Sequence, residues 1–248
     1  MCKRLYIIGG CNGAGKTTAS YTVLPEILDC REFVNADEIA HGLSPFNPEN
    51  VSIEAGRLML KRIDELLEKD ITFSIETTLA TKSYINLVRR AHTKGYSVNL
   101  LFFWLRSPEL AIQRVAERVK NGGHNIPTDI IERRYIAGIC NLFNLYMPEI
   151  DYWSIYDNSA NPRKQIACGG KDKETIIIEN TFFFKLRAMS NKEMRELSEK
   201  INRGLEIAEK RMLQEKALKG QDVIVCDADN NIRRIPAKRV IANNPIFQ

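Results

Sequence analysis

Short apolar runs that alternate with amphipathic stretches dominate the first two thirds of the chain. The first run, residues 5–9, leads directly into glycines, and in residues 71–75 every second residue is apolar. Residues 96–105 are apolar almost throughout, which predicts a central strand that is buried on both faces. In residues 48–69 the apolar positions instead recur at helical spacing. Strands that alternate with helices in this way predict an α/β protein with a mostly parallel sheet.

Turn and capping residues divide this pattern into five strands and five helices. Ser107 followed by Pro108 is a typical helix start, and Gly122 and Gly123 end that helix. The predicted strands are residues 5–9, 31–35, 71–75, 96–105 and 151–156. The predicted helices are residues 16–28, 48–69 and 82–94, one that starts at Ser107, and one that starts at about Thr128.

The character of the chain changes after about residue 170. Residues 175–179 are predicted to form a short edge strand, and residues 190–219 a strongly charged helix with sparse apolar positions. Residues 222–226 and 232–235, separated by a polar turn at 229–231, predict a β-hairpin. We therefore divide the chain into a core at residues 1–180 and an appendage of one helix and a hairpin at residues 181–248.

The segment from Gly10 to Thr17 fits the pattern G-x-x-x-x-G-K-[ST] of a phosphate-binding loop, or P-loop. Its glycines let backbone N–H groups approach phosphate oxygens without a Cβ in the way, and the following helix adds the positive end of its dipole. Lys16 brings a positive charge to the β- and γ-phosphates of ATP or GTP, and the Thr17 hydroxyl is the predicted ligand of Mg²⁺. The alternative interpretation is a glycine-rich structural turn. The predicted nucleotide-binding residues are Gly10, Asn12, Gly13, Ala14, Gly15, Lys16, Thr17 and Thr18, with Asn158 after the last core strand as a candidate contact of the base.

Two acidic residues come directly after predicted strands. Asp37 lies 21 residues after Lys16, and Glu76 follows the strand at 71–75 together with Thr77. In open α/β sheets ligands bind at the carboxyl ends of strands, so both carboxylates are expected in the same crevice. Asp37 is the candidate base for an acceptor hydroxyl, and Glu76 with Thr77 is a candidate holder of that hydroxyl or of a metal-bound water. The alternatives are a helix N-cap for Asp37 and a cap partner for Glu76.

Arginines on two helices flank the glycine-containing break at residues 121–127. Arg118 precedes the break and Arg134 follows it, which is the layout of a lid that closes over phosphates. The alternative is a pair of solvated helix faces, and His124 is read as an exposed loop residue. The sequence thus predicts a three-layer α/β P-loop NTPase fold with a mostly parallel five-stranded sheet, a helical lid, and a C-terminal helix plus β-hairpin. The predicted catalytic residues are Lys16, Asp37, Arg118 and Arg134.

Charge and cysteine usage narrow the class of protein. The formal net charge of +5 suits anionic small molecules but is too small and too dispersed to indicate a nucleic-acid partner. The six cysteines include no C-x-x-C pair, so neither a disulfide framework nor a zinc site is expected. The N-terminal residues lead at once into the first strand, so no signal peptide is expected, and the longest apolar run, residues 98–105, is too short to span a bilayer. A reduced cytoplasm is the predicted location.

Five motifs, taken together, resemble the zeta toxin family of P-loop kinases, and the resemblance covers about residues 4–168. It implies a kinase that uses ATP or GTP with Mg²⁺. Characterised toxins of the family phosphorylate the 3′-hydroxyl of the amino sugar in UDP-N-acetylglucosamine, and an antitoxin protein is the implied partner. The motifs are residues 9–18, residues 35–37, residues 76–78, Gly122-Gly123-His124 and Arg133-Arg134-Tyr135.

The resemblance also assigns residues. By position, Asp37 matches the catalytic base of the family, Glu76 its substrate-binding acid, and Arg118 a lid arginine. A second lid arginine of the toxins has no match at residues 121–127, so Arg133 or Arg134 is the candidate replacement. Residues 180–248 have no counterpart in the toxin core, which makes a kinase activity better supported than toxicity. The implied substrate-binding residues are Asp37, Glu76, Thr77 and Arg133.

Two other interpretations stay open at this point. The acceptor could be another small metabolite, a nucleoside or a sugar, since the residues expected around it do not identify a substrate. The chain could instead be a nucleotide-dependent switch whose C-terminal part binds a partner. The two classes differ in one respect: a kinase needs Asp37 for turnover, and a switch does not.

Overall fold

A seven-stranded sheet forms the centre of the first 191 residues of the computed structural model, which describes residues 3–120, 122–123, 125–226 and 232–243. The strands are β1 (Arg4–Gly9), β2 (Glu32–Val34), β3 (Phe73–Thr77), β4 (Ser97–Trp104), β5 (Tyr152–Asp157), β6 (Lys164–Gly170) and β7 (Lys173–Ile177). Their order in the sheet is β2-β3-β1-β4-β5-β6-β7. The first five pair in parallel, with helical segments in the connections between them, and β6 and β7 pair antiparallel.

The parallel part of the sheet contains the five strands that the sequence predicted, and β6 and β7 extend the sheet at one edge. β7 overlaps the predicted edge strand at 175–179. β6 was missed, so the five predicted core strands and the predicted edge strand together fall one strand short of the sheet. Residues 164–170 begin with two polar side chains and end with two glycines, so they lack the regular apolar alternation that marks a strand.

Helices connect the strands and largely follow the sequence prediction. They are α1 (Lys16–Thr22), α2 (Ala36–Leu43), α3 (Ser52–Glu68), α4 (Tyr84–Thr93), α5 (Pro108–Lys120), α6 (Thr128–Asn141), α7 (Asn180–Leu218) and α8 (Ala237–Asn243). The predicted helix at 16–28 changes to a π-helical turn at Val23–Ile27. This turn contains Pro25, which has no backbone N–H and cannot continue the hydrogen-bond pattern of an α-helix.

β4 differs from its prediction, because only one of its faces is covered along its whole length. Val98, Leu100 and Trp104 are buried, whereas Ser97 and Asn99 on the other face are half-buried. That face opens onto a groove of about 540 Å³ between β1, β4, β5 and the Val23–Ile27 turn. The apolar run at 96–105 hid this difference, since it contains only two strongly polar positions.

α6 is fixed to the sheet by buried hydrogen bonds. The Tyr135 hydroxyl donates to the Leu105 carbonyl at 2.7 Å and accepts from the Trp104 indole N–H at 2.9 Å. Further along the helix, the Asn141 amide donates to the Leu79 carbonyl at 2.7 Å. Both ends of the second half of α6 are therefore tied to loops that follow strands of the sheet.

The C-terminal part of the chain contains the predicted helix and hairpin. α7 begins at Asn180 rather than at about residue 190, because Phe183 and Leu186 are buried and stabilise its first turns. The chain divides into two compact units at Asn191/Lys192, whereas we predicted a division after residue 180.

In the second unit, β8 (Asp222–Cys226) pairs antiparallel with β9 (Ile232–Pro236), and the predicted turn at 229–231 lies outside the described residues. Among the described residues, no helix combines the length and apolarity needed to cross a lipid bilayer.

We predict that Tyr135→Phe lowers the free energy of unfolding by about 1–3 kcal/mol, because it leaves a buried carbonyl and a buried indole N–H without their partner. Urea denaturation followed by circular dichroism measures the change. Tyr152→Phe, at a partly exposed tyrosine of β5, is the matched control and is expected to stay within about 0.5 kcal/mol of the native chain. Equal stabilities of Tyr135→Phe and the native chain would contradict the prediction.

Candidate functional site

The loop between β1 and α1 has the backbone that a phosphate-binding loop requires. Gly10 and Gly15 have φ angles of 143° and 77°, which residues with a side chain rarely adopt. A Cβ on Gly10 would overlap the Phe103 carbonyl oxygen, and a Cβ on Gly15 would lie 2.6 Å from the Asn158 amide nitrogen. The N-terminus of α1, with its unpaired N–H groups, follows at once.

Lys16, Thr17 and Glu76 meet at the carboxyl ends of β1 and β3. The Lys16 ammonium is 3.5 Å from Glu76 Oε1 and donates to the Cys11 carbonyl at 3.0 Å. The Thr17 hydroxyl donates to Glu76 Oε2 at 2.8 Å. The side chains of Lys16 and Glu76 are only 7% and 9% exposed, so each charge compensates the desolvation of the other.

The side chains of Thr17 and Glu76 have the chemistry of a magnesium site. Mg²⁺ prefers hard oxygen ligands and usually takes only one or two of them from the protein. The Thr17 hydroxyl and the Glu76 carboxylate, in hydrogen-bond contact beside the loop, fit that requirement. Glu76, which the sequence predicted to hold a substrate hydroxyl or a metal-bound water, lies against the P-loop.

Asp37 stands at the start of α2, where it borders a cavity of about 660 Å³. The N-cap of α2 is Asn35, so the alternative of Asp37 as the cap does not apply. The cavity is bounded by α2, by the loop before α3, and by the end of α5 with the residues after it. Phe46 is 95% exposed at its rim. Other lining residues include Glu38, His41, Pro45, Glu49, Arg118, Gly122, Gly123 and Asn125.

The two neighbouring arginines of α6 have different surroundings. Arg134 is half-buried and its guanidinium donates to Asn12 Oδ1 of the P-loop at 3.2 Å. Arg133 is exposed, because successive helix residues point about 100° apart. Neither Arg133 nor Thr77 lines the described part of the cavity, and the Thr77 hydroxyl accepts a hydrogen bond from the Leu79 N–H at 3.1 Å. His124 lies outside the described residues.

Asn158 stabilises the P-loop through hydrogen bonds. Its side-chain amide donates to the Ala14 carbonyl at 2.8 Å, and its own carbonyl accepts from the Arg114 guanidinium at 2.9 Å. The sequence pointed to Asn158 only as a base contact and gave Arg114 no role. An arginine that braces a loop through backbone carbonyls leaves no sequence pattern by which it could be found.

The surroundings shift the pKa values of two titratable groups next to the P-loop. Burial raises the pKa of the Cys11 thiol to about 11, although the Lys16 charge works against this, so the thiol is protonated and unreactive at neutral pH. Burial of Asp157 opposes its ionisation, but hydrogen bonds from Ser159 and from the Arg106 guanidinium outweigh it and hold the pKa of Asp157 below its ordinary value. Asp157 thereby fixes the turn that carries Asn158.

The chain matches the family model described as "Zeta toxin" over residues 2–145 and one described as "Domain of unknown function (DUF8506)" over residues 189–246. An uncharacterized protein of Haemophilus influenzae is 32% identical over 126 residues, which cover 51% of this chain and 88% of that protein.

Two solved structures illustrate the similarity of the fold. One is from the PezAT chromosomal toxin-antitoxin system of Streptococcus pneumoniae, with a TM-score of 0.52, 19% identity, and coverage of 80% of this chain and 88% of that chain. The other is the AvrRxo1-ORF1:-ORF2 complex with ATP, with a TM-score of 0.60, 16% identity, and coverage of 75% of this chain and 64% of that chain. This chain thus spans slightly less than two thirds of the AvrRxo1 chain. At these identities the likeness shows a shared fold, an α/β fold with a central, mostly parallel sheet.

We predict that Asp157→Asn makes the protein less stable at neutral pH and less sensitive to acid. A carboxyl whose folded pKa is depressed stabilises the fold above its unfolded pKa, near 3.8, and this contribution is lost as the pH falls through the folded pKa. The difference in unfolding free energy between the native chain and the variant should therefore shrink between about pH 5 and pH 3. Asp172→Asn, at an exposed carboxyl between β6 and β7, is the control. A constant difference across that range would contradict the prediction.

Proposed function

The chain belongs to the zeta toxin family, and we propose that it is a nucleotide-dependent phosphotransferase that transfers the γ-phosphoryl group of ATP or GTP to a hydroxyl of a small acceptor. The observation that carries the proposal is the position of Asp37. Asp37 borders a cavity of about 660 Å³, and its backbone N–H is linked, through Asn35 and Glu76, to Lys16 and Thr17 of the P-loop. Phosphoryl transfer requires a loop that binds the phosphoryl donor, a cavity for the acceptor, and a base beside that cavity.

The P-loop would hold the phosphoryl donor. Backbone N–H groups of residues 10–15 and the N-terminus of α1 would face the phosphates, and Lys16 would exchange part of its contact with Glu76 for the β- and γ-phosphate oxygens. The AvrRxo1-ORF1:-ORF2 complex with ATP, which has a similar fold, supports a nucleotide as the ligand. Thr17 and Glu76 would hold Mg²⁺, which, when bound, offsets the negative charge of the phosphates.

The acceptor would bind in the cavity at α2 with its hydroxyl near Asp37. Asp37 accepts or orients the hydroxyl proton while the new oxygen–phosphorus bond forms, and the bond between the γ-phosphorus and the bridging oxygen breaks. The transfer is direct, so no phosphorylated enzyme is formed. UDP-N-acetylglucosamine is the first acceptor to test, because the family resemblance implies it, and other sugars and nucleosides follow. Glu76, Thr77 and Arg133 remain the proposed further contacts of the acceptor.

Two arginines would stabilise the charge that develops on the transferred group. Arg134 already contacts Asn12 of the P-loop, and Arg118 borders the cavity from the end of α5. A guanidinium offers several donors in a fixed plane, which suits the equatorial oxygens of the phosphoryl group. We propose that α5, α6 and the residues between them act as a lid, and that an antitoxin protein regulates the enzyme in the cytoplasm, as the toxin-antitoxin system among the similar folds suggests.

We predict that Asp37→Ala lowers ATP turnover in the presence of the acceptor by about 10²–10⁴-fold, because the base is lost, while the affinity for ATP changes little. Turnover of ATP with Mg²⁺ is measured with and without UDP-N-acetylglucosamine, and ATP binding by calorimetry. Asp64→Asn, an exposed carboxylate on α3, is the control.

Each outcome of that experiment has a distinct meaning. Turnover that needs both the sugar nucleotide and Asp37 supports the full proposal. ATP binding with turnover for another acceptor keeps the kinase and replaces its substrate. ATP binding that Asp37→Ala leaves unchanged, without turnover on any acceptor, would contradict the phosphotransferase and favour a nucleotide-dependent switch.

Arg134→Lys is predicted to lower kcat by about tenfold or more, because it keeps the positive charge but loses the planar set of donors. The KM for ATP should change much less. Arg133→Lys is measured alongside, since the sequence offered either residue as the second lid arginine. A larger loss of kcat in Arg133→Lys than in Arg134→Lys would overturn the assignment of the phosphate contact to Arg134.

A further inference from the structure

One buried side-chain amide connects the P-loop with the start of α2. Asn35, between β2 and α2, is 6% exposed. Its Nδ2 donates to Glu76 Oε2 at 3.0 Å, and its Oδ1 accepts from the Asp37 backbone N–H at 2.8 Å. Glu76 Oε2 also accepts from the Thr17 hydroxyl, so a continuous chain of hydrogen bonds runs from α2 to the P-loop.

The backbone alone holds this junction weakly. β2 is an edge strand of three residues, and its pairing with β3 stops at Val34 and Ile75. Asp37 lies three residues beyond the last paired position. The side-chain bond between Asn35 and Glu76 takes over where the strand ladder ends, and it joins the residues that directly follow Val34 and Ile75.

We propose that Asn35 is a positioning residue that couples the occupancy of the P-loop to the placement of Asp37 and of the start of α2. The inference rests on the function proposed above. When a phosphate group and a metal ion bind at Lys16, Thr17 and Glu76, the carboxylate of Glu76 is held in one position. The hydrogen bonds of Asn35 transmit that position to α2. Asp37 is then held near the acceptor hydroxyl more firmly when the donor is bound.

The chemistry of the site requires an asparagine at this position. Its side chain must donate to a carboxylate at one end and accept from an N–H at the other, and a primary amide does both. The amide orientation is unambiguous, because the flipped form would set oxygen against oxygen and N–H against N–H. An aspartate would place a second carboxylate about 3 Å from Glu76, and a serine could cap α2 but is too short to reach Glu76.

The test uses the full-length chain and hydrogen exchange measured by mass spectrometry. In the native protein, ATP is expected to raise protection of the P-loop and also of the peptide that covers α2. Asn35→Ser should keep ATP binding within about threefold but lose the ATP-dependent protection of α2. Asn35→Asp, which retains the shape and the cap, should behave like Asn35→Ser. With an acceptor present, both variants should lower kcat about tenfold or more while the KM for ATP changes less than about threefold.

A control separates coupling from loss of a helix cap. Ser107→Ala removes the side-chain bond to the Leu110 N–H at the start of α5, far from Glu76 in the hydrogen-bond network. It should leave the ATP-dependent protection of α2 as in the native protein. The inference is overturned if ATP binds Asn35→Ser and protects α2 as in the native chain, or if Ser107→Ala abolishes that protection equally. A native protein that binds no ATP would instead refute the proposed function, so the two failures are distinguishable.

Discussion

The buried carboxylate of Glu76 is the constraint on which the site depends. It accepts hydrogen bonds from Thr17 and Asn35 and pairs with Lys16, so three segments from three neighbouring strand ends converge on one acidic group. Such convergence requires the strand order β2-β3-β1, which places β3 between the other two. Without Glu76, Lys16 would lose the acidic partner of its nearly buried charge, and the residues after β2 would lose the side-chain bond from Asn35 to β3.

The helices that carry the arginines have a different kind of support. α6 is anchored at Tyr135 and Asn141 through buried hydrogen bonds to the loops after β4 and β3. The residue beside this anchor, Arg134, reaches the P-loop. In the proposed lid, this anchor would keep Arg134 close to the P-loop.

The parts of the site that could be predicted are those where chemistry dictates residue type. The P-loop needs glycines, Lys16 and Thr17 at fixed spacing, and the position of Asp37 beside the crevice could be predicted because it follows a strand at the expected distance. The choice between Arg133 and Arg134 could not be made, since it depends on the rotation of α6 about Tyr135, which packing decides. β4 was predicted as covered on both faces because an apolar run does not tell how many helices flank the sheet. Asn35 lay inside a recognised motif, but its role became clear only with its two partners in place.

The buried pair of Trp104 and Tyr135 has a consequence for observing this protein. The chain contains two tryptophans, and only Trp104 donates its indole N–H to the helix that carries Arg134. Trp153 lies in β5, packed against Gly169 of β6. The ultraviolet emission of Trp104 should therefore change if the bond between Trp104 and Tyr135, which attaches α6 to β4, is broken. The attachment of the helix that carries Arg134 can thus be followed without an added dye.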